Sequence, residues 1–158
     1  MEEDIKLNLG SGIAGNFPGF KNVDIRDIEG VDVVADVRKL PFEDNSVSEI
    51  KCQNLIEHFG RHEIVPLLKE WYRVMKPGGK IAIETVDMGE TMTNWKNIPT
   101  ENLLDAICGA QTYPENFHKM AFTSDILTTF LKGAGFSVEI WEKEVRREIP
   151  RMTLKATK

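Results

Sequence analysis

The stretch Lys6–Gly15, KLNLGSGIAG, constrains the chain more than any other. An apolar strand, Ile5–Leu9, runs straight into a turn carrying Gly10, Gly12 and Gly15. Glycine accepts positive φ and lets a ligand approach the backbone closely. A strand that leaves its sheet through such a turn is how open α/β sheets build a nucleotide pocket at their carboxyl edge. Gly10-Ser11-Gly12-Ile13-Ala14-Gly15 satisfies the GxGxxG spacing, which a plain strand-exit turn also satisfies.

The residues after the glycines narrow the choice of ligand. A dinucleotide site needs a helix after the turn and an acid roughly 20 residues on. Here Asp24 comes only nine residues after Gly15. Between them stand Asn16-Phe17-Pro18-Gly19, whose proline and glycine oppose a long helix. The first helix is therefore missing or a single turn. A pyrophosphate loses the helix terminus it would rest on, which argues against a nicotinamide cofactor. An adenosine ligand without phosphates fits better.

The rest of the chain alternates strand and helix signals. Strands are predicted at Ile5–Leu9, Lys21–Asp24, Val31–Ala35 and Glu49–Gln53. A helix over Glu63–Met75 places Ile64, Leu67, Leu68, Trp71, Val74 and Met75 on one face, with Pro66 tolerated in its first turn. Lys76-Pro77-Gly78-Gly79 stops it, and a fifth strand, Lys80–Val86, comes next. A long segment, Asp87–Phe122, holds a short helix at Glu101–Cys108. Thr123 caps a helix carrying Ile126, Leu127, Phe130 and Leu131, which closes at Gly133 or Gly135. Phe136–Glu142 and Arg151–Thr157 read as an antiparallel hairpin.

A length of 158 residues suits one domain, residues 1–158, with one sizeable core. A net charge of −5 gives no bulk attraction to nucleic acid or to an anionic membrane, so neither is expected as a partner. The tail from Glu142 to Lys158 is locally basic and reads as a solvated strand pair. Cys52 and Cys108 lie far apart without metal-ligand spacing, so no metal site is expected. Reduced thiols, an acidic start and no apolar run of spanning length point to the cytoplasm.

Four motifs recur together. They are Asn8-Leu9-Gly10-Ser11-Gly12, Asn22-Val23-Asp24-Ile25, Ala35-Asp36 with Leu40-Pro41-Phe42, and Lys76-Pro77-Gly78-Gly79-Lys80. In this order they resemble the class I S-adenosylmethionine-dependent methyltransferases, in particular the short methyltransferase-11-like branch, over about residues 5–85. Asn116-Phe117-His118 before Thr123, and the later Gly135-Phe136, extend the likeness more loosely. The resemblance implies a Rossmann-like α/β sheet of five parallel strands plus a terminal antiparallel hairpin, S-adenosyl-L-methionine as cofactor, and methyl transfer to a small-molecule acceptor. A non-catalytic cofactor-binding module and an aminopropyl transferase on the same fold stay open as alternatives.

The candidate site residues lie at strand ends. Asp24 offers two acceptor oxygens to a ribose diol, with Ile25 beside it; its ordinary alternative is a turn cap. Asp36 suits the adenine amino group and the Val37 N–H a ring nitrogen. Gly10, Ser11 and Gly12 offer N–H groups and close approach. Where the family often has an acid in the first strand this chain has Asn8, so the methionyl end of the cofactor is held differently. Gln53 and Asn54 end the fourth strand at the same edge. His58 and His118 are the candidate proton acceptors, followed by Glu84 and Asp87. The Asp87–Phe122 excursion is expected to form a lid or substrate wall through Trp95, Tyr113, Phe117 and Met120, with a satellite core as the plainer alternative.

Overall fold

The computed structural model describes residues 4–13 and 17–158. The acidic start and the Ala14–Gly15–Asn16 part of the glycine turn lie outside the described residues. β1 (Ile5–Leu9), β2 (Lys21–Asp24), β3 (Val33–Val34), β4 (Val47–Gln53) and β5 (Met75–Val86) pair in parallel. β6 (Ser137–Arg146) and β7 (Ile149–Thr157) close the sheet as an antiparallel hairpin in the order β3-β2-β1-β4-β5-β7-β6. Five parallel strands and a terminal antiparallel hairpin are what the resemblance implies. The carboxyl ends of β1, β2, β3 and β4 therefore lie along one edge.

No helix among the described residues joins β1 to β2 or β2 to β3. The helices are α1 (Ile64–Val74), α2 (Met88–Asn94), α3 (Thr100–Cys108) and α4 (Ser124–Ala134). α1 and α4 share one core with the sheet: Ile64, Leu67, Leu68 and Trp71 of α1 and Leu127 and Leu131 of α4 pack with Leu7, Leu9, Ile50, Cys52, Ile81, Ile83 and Leu154. Strand side chains alternate in direction, so Lys6, Asn8, Glu49, Lys51, Gln53, Lys80 and Lys155 line the opposite face. There Lys51 Nζ sits 4.3 Å from the Phe17 ring centre and 4.5 Å from that of Phe20. This short aromatic cover stands where a crossover helix is absent.

Several boundaries differ from expectation. β3 is only Val33–Val34 rather than Val31–Ala35, because pairing with β2 stops at Val23↔Val33 and Asp24↔Val34. β4 begins at Val47 rather than Glu49. β5 begins at Met75, so Lys76-Pro77-Gly78-Gly79 is an irregular strand start instead of a loop. Its pairing shifts register between Val47 and Glu49, and Gly78 donates to the Lys158 carbonyl at 3.0 Å. The hairpin extends to Arg146 and Ile149, beyond the predicted Glu142 and Arg151. The α4 caps are as expected: the Thr123 hydroxyl accepts from the Ile126 N–H, and Gly135 ends the helix at φ +109°.

The excursion is pinned where it begins and ends by a parallel bridge between Asp87 and Phe122. Inside it, α2 and a 3-10 turn, Trp95–Asn97, precede α3. Val86, Ile98, Ala106 and Ile149 are buried together with Met88 and Leu103 against them, so a satellite core is present.

Candidate active site

The glycine turn folds back on β2. Gly10 and Ser11 both donate to the Val23 carbonyl, at 2.8 and 3.2 Å, with Gly10 at φ +65°. Gly12, at φ +56°, then aims its N–H at Asp24 Oδ2, 3.0 Å away. Asp24 is only 5% exposed. Its Oδ1 accepts from the Arg26 backbone N–H and from Arg26 Nε, each at 3.0 Å. Burial pushes the Asp24 carboxyl up, but the hydrogen bonds from Arg26 and Gly12 outweigh it and hold the group below the ordinary aspartate value. Asp36 is likewise held down, chiefly by Arg38, whose Nη2 lies 2.8 Å from Oδ2. Both acids are anionic acceptors at neutral pH.

These residues converge on a cavity of about 350 Å³, within the size range of small-molecule sites. Of the predicted cofactor residues, Gly10, Gly12, Asp24, Ile25, Asp36, Val37 and Asn54 line it. Asn8, Ser11 and Gln53 are not among the residues lining it. Asn8 donates to Asn22 Oδ1 at 2.9 Å, and Gln53 donates to Glu84 Oε2 at 2.9 Å. The Ser11 hydroxyl is buried with no hydrogen-bond partner. Val37 gives its carbonyl to Trp71 Nε1 at 3.0 Å. Asn54, at φ +50°, accepts from Arg151 Nη1.

The excursion reaches the same cavity through Tyr113, Pro114, Glu115 and Lys119. Trp95, Phe117 and Met120 do not line it, so the predicted aromatic wall reduces to Tyr113. His58 is in the wall and His118 stands beside it, ring centres 5.0 Å apart. His58 Nδ1 lies 3.1 Å from the Phe117 carbonyl and His118 Nδ1 lies 3.0 Å from that of Ala106. A carbonyl only accepts, so each neutral ring carries its proton on Nδ1; the His58 ring also lies against the Asn54 and Glu115 backbone. Burial lowers the pKa of both rings. An NMR titration of the two imidazoles is expected to place both midpoints below ~6.5, the free histidine value; a midpoint above it for either ring contradicts this.

Sequence reasoning missed Arg26, Arg38, Leu55, Phe59 and Glu63 in the lining. A usable signal was there: Asp24-Ile25-Arg26 and Asp36-Val37-Arg38 repeat one Asp-x-Arg pattern. Two anionic acceptors face a cavity with apolar walls at Ile25, Val37, Leu55 and Phe59.

Known structures share this fold. No curated protein matches the sequence significantly. The fold superposes on an S-adenosylmethionine-dependent methyltransferase of Methanosarcina mazei with a TM-score of 0.72 and 17% identity, covering 100% of this chain and 93% of that one. It also superposes on a Pyrococcus horikoshii protein (TM-score 0.69, 24% identity, 100% and 84% covered). A third is a Thermotoga maritima S-adenosylmethionine-dependent methyltransferase described as a possible histamine N-methyltransferase (0.67, 19%, 100% and 84%). The methyltransferase-domain family model matches residues 18–83, the segment that carries Asp24 and Asp36. The fold is the Rossmann-like one of these methyltransferase structures. No helix among the described residues is long and apolar enough to cross a membrane.

Proposed function

We propose that this chain is a class I S-adenosylmethionine-dependent methyltransferase that acts as one domain, binds S-adenosylmethionine in this cavity and moves its methyl group to a small-molecule acceptor admitted between His58 and the Tyr113–Lys119 side. The observation that carries the reading is the meeting of Gly10, Asp24, Asp36 and the excursion on one cavity. Asp24 takes the ribose hydroxyls, Asp36 the adenine amino group, and Gly10 and Gly12 the close approach to the thioether side. The bound cofactor supplies an activated sulfonium methyl, so alignment and exclusion of water carry much of the catalysis. The protein then needs a group to take the acceptor's proton. His58 suits this: it lines the cavity, burial lowers its pKa, and the Phe117 carbonyl orients its ring. Acceptor choice falls to the Asp87–Phe122 excursion. Two free cysteines agree with a reducing compartment, the cytoplasm.

Calorimetric titration tests the reading with S-adenosylmethionine, S-adenosylhomocysteine and NAD side by side. Both thioethers are expected to bind and to raise thermal stability by mass action. NAD binding tighter than either overturns the reading.

A further inference from the structure

The two Asp-x-Arg pairs of the cavity are not equivalent. Asp36 is part-exposed, its side chain at 36%, and Arg38 is shared with Glu63 at 3.1 Å. Asp24 is buried, and its acceptor capacity is full. Two carboxylate oxygens offer four lone-pair directions. Backbone N–H groups hold two of them: Gly12 on Oδ2 and Arg26 on Oδ1, each at 3.0 Å. The Arg26 guanidinium fills the other two, Nε on Oδ1 at 3.0 Å and Nη2 on Oδ2 at 3.4 Å. That is one side-chain donor on each oxygen, the pattern a vicinal diol presents. A buried carboxylate with no spare direction cannot take a diol beside the guanidinium. It can take one in its place.

The same guanidinium lies 4.4 Å from the Tyr113 ring centre, within cation–π range. Tyr113 belongs to the excursion, and it lines the cavity together with Arg26 and Glu115. At 29% side-chain exposure Arg26 has solvent on one side and room to turn. Glu115 is an alternative acid within its field.

We infer that Arg26 is a positioning residue that occupies the diol contacts of Asp24 until an adenosyl ligand displaces it, and that its displacement moves Tyr113 and so couples cofactor binding to the acceptor side of the cavity. The inference rests on the proposed ribose role of Asp24. Its physical content is a competition: part of the ligand's affinity is spent in releasing the ion pair, and the apparent affinity falls by the fraction of molecules in the released state.

The test is calorimetric titration with S-adenosylhomocysteine of the wild type, Arg26→Ala, Arg26→Gln, Asp24→Ala and the Asp24→Ala/Arg26→Ala double variant, each first checked by thermal melting. Arg26→Gln keeps most of the side chain's length without its charge. Both Arg26 variants are expected to bind the ligand about fivefold more tightly, the factor for a part-exposed ion pair of ~1 kcal/mol. The gain should vanish in the Asp24→Ala background. Hydrogen exchange should show ligand-induced change at residues 113–116 in the wild type and little in Arg26→Ala. Weaker or unchanged binding by the Arg26 variants, with Asp24→Ala still impaired, overturns the inference and leaves the ribose role of Asp24 standing. Unchanged binding by Asp24→Ala removes both.

Discussion

Replacing Asp24 with alanine is expected to weaken S-adenosylhomocysteine binding by about 1–3 kcal/mol, roughly 5- to 150-fold in Kd. The size comes from the environment. Asp24 is buried at the end of β2, and its carboxylate is kept anionic by Arg26 and Gly12. A neutral hydroxyl bonded to such an acceptor is charge-assisted, about twice as strong as a neutral pair. The alanine variant also leaves the Gly12 and Arg26 backbone N–H groups without their acceptor, so the glycine turn loses its tie to β2. Calorimetry reads the affinity, and thermal melting without ligand separates the loss of the tie from the loss of contact. Equal affinity in variant and wild type takes Asp24 out of the ligand site.

A second large effect is expected from Glu57→Gln, and it depends on pH. Glu57 lies in the 3-10 turn Ile56–His58, is 2% exposed, and neither carboxylate oxygen has a hydrogen-bond partner. Burial pushes its carboxyl up from 4.5 to about 7; its own backbone N–H, the nearby Thr85 hydroxyl and the field of Arg151 offset part of this, and the charge of Glu84 adds to it. A raised folded-state value in an acid is a cost once the group must ionise. Between pH 4.5 and about 7 the unfolded chain has released this proton and the folded chain has not, so the Glu57 contribution to stability falls as pH rises through that window and is flat above it. The full difference is on the order of 3 kcal/mol. Glutamine keeps the shape and cannot ionise. In urea unfolding the variant should gain on the wild type by up to about 3 kcal/mol at pH 8 and by little at pH 4.5. A difference that does not change with pH removes the ionisation as its cause.

Much of this site was legible because strand ends are legible. Leu9, Asp24 and Gln53 close apolar or alternating runs, and a parallel sheet brings such ends to one edge whatever the exact length of each strand. Direction was harder to read. Leu7, Leu9 and Cys52 point into the core, so a period of two turns Asn8 and Gln53 to the face opposite α1 and α4 and out of the cavity wall. The hairpin was predicted too short because its turn carries none of the usual signals. Arg147 and Glu148 adopt φ +51° and +60°, where glycine or asparagine is expected. The start of β5 was hidden by Pro77 and Gly78, which punctuate a loop in most contexts and here sit in an irregular strand end. Burial of Glu57 has no local signature; it arises from the return of the excursion, whose Lys119 and Met120 N–H groups donate to the Glu57 carbonyl.

The bridge between Asp87 and Phe122 has a consequence for how such a chain diversifies. The excursion leaves and rejoins the fold at one paired position, so its ends stay together however long the path between them. Closing a loop between fixed ends costs only about 0.6 kcal/mol more for each doubling of its length. Residues can be gained, lost or exchanged inside it while β1, β2 and the two acids at their edge keep their register. Under the proposed function, change in what is methylated is thereby uncoupled from retention of the methyl donor, and a short chain can be retargeted through one segment.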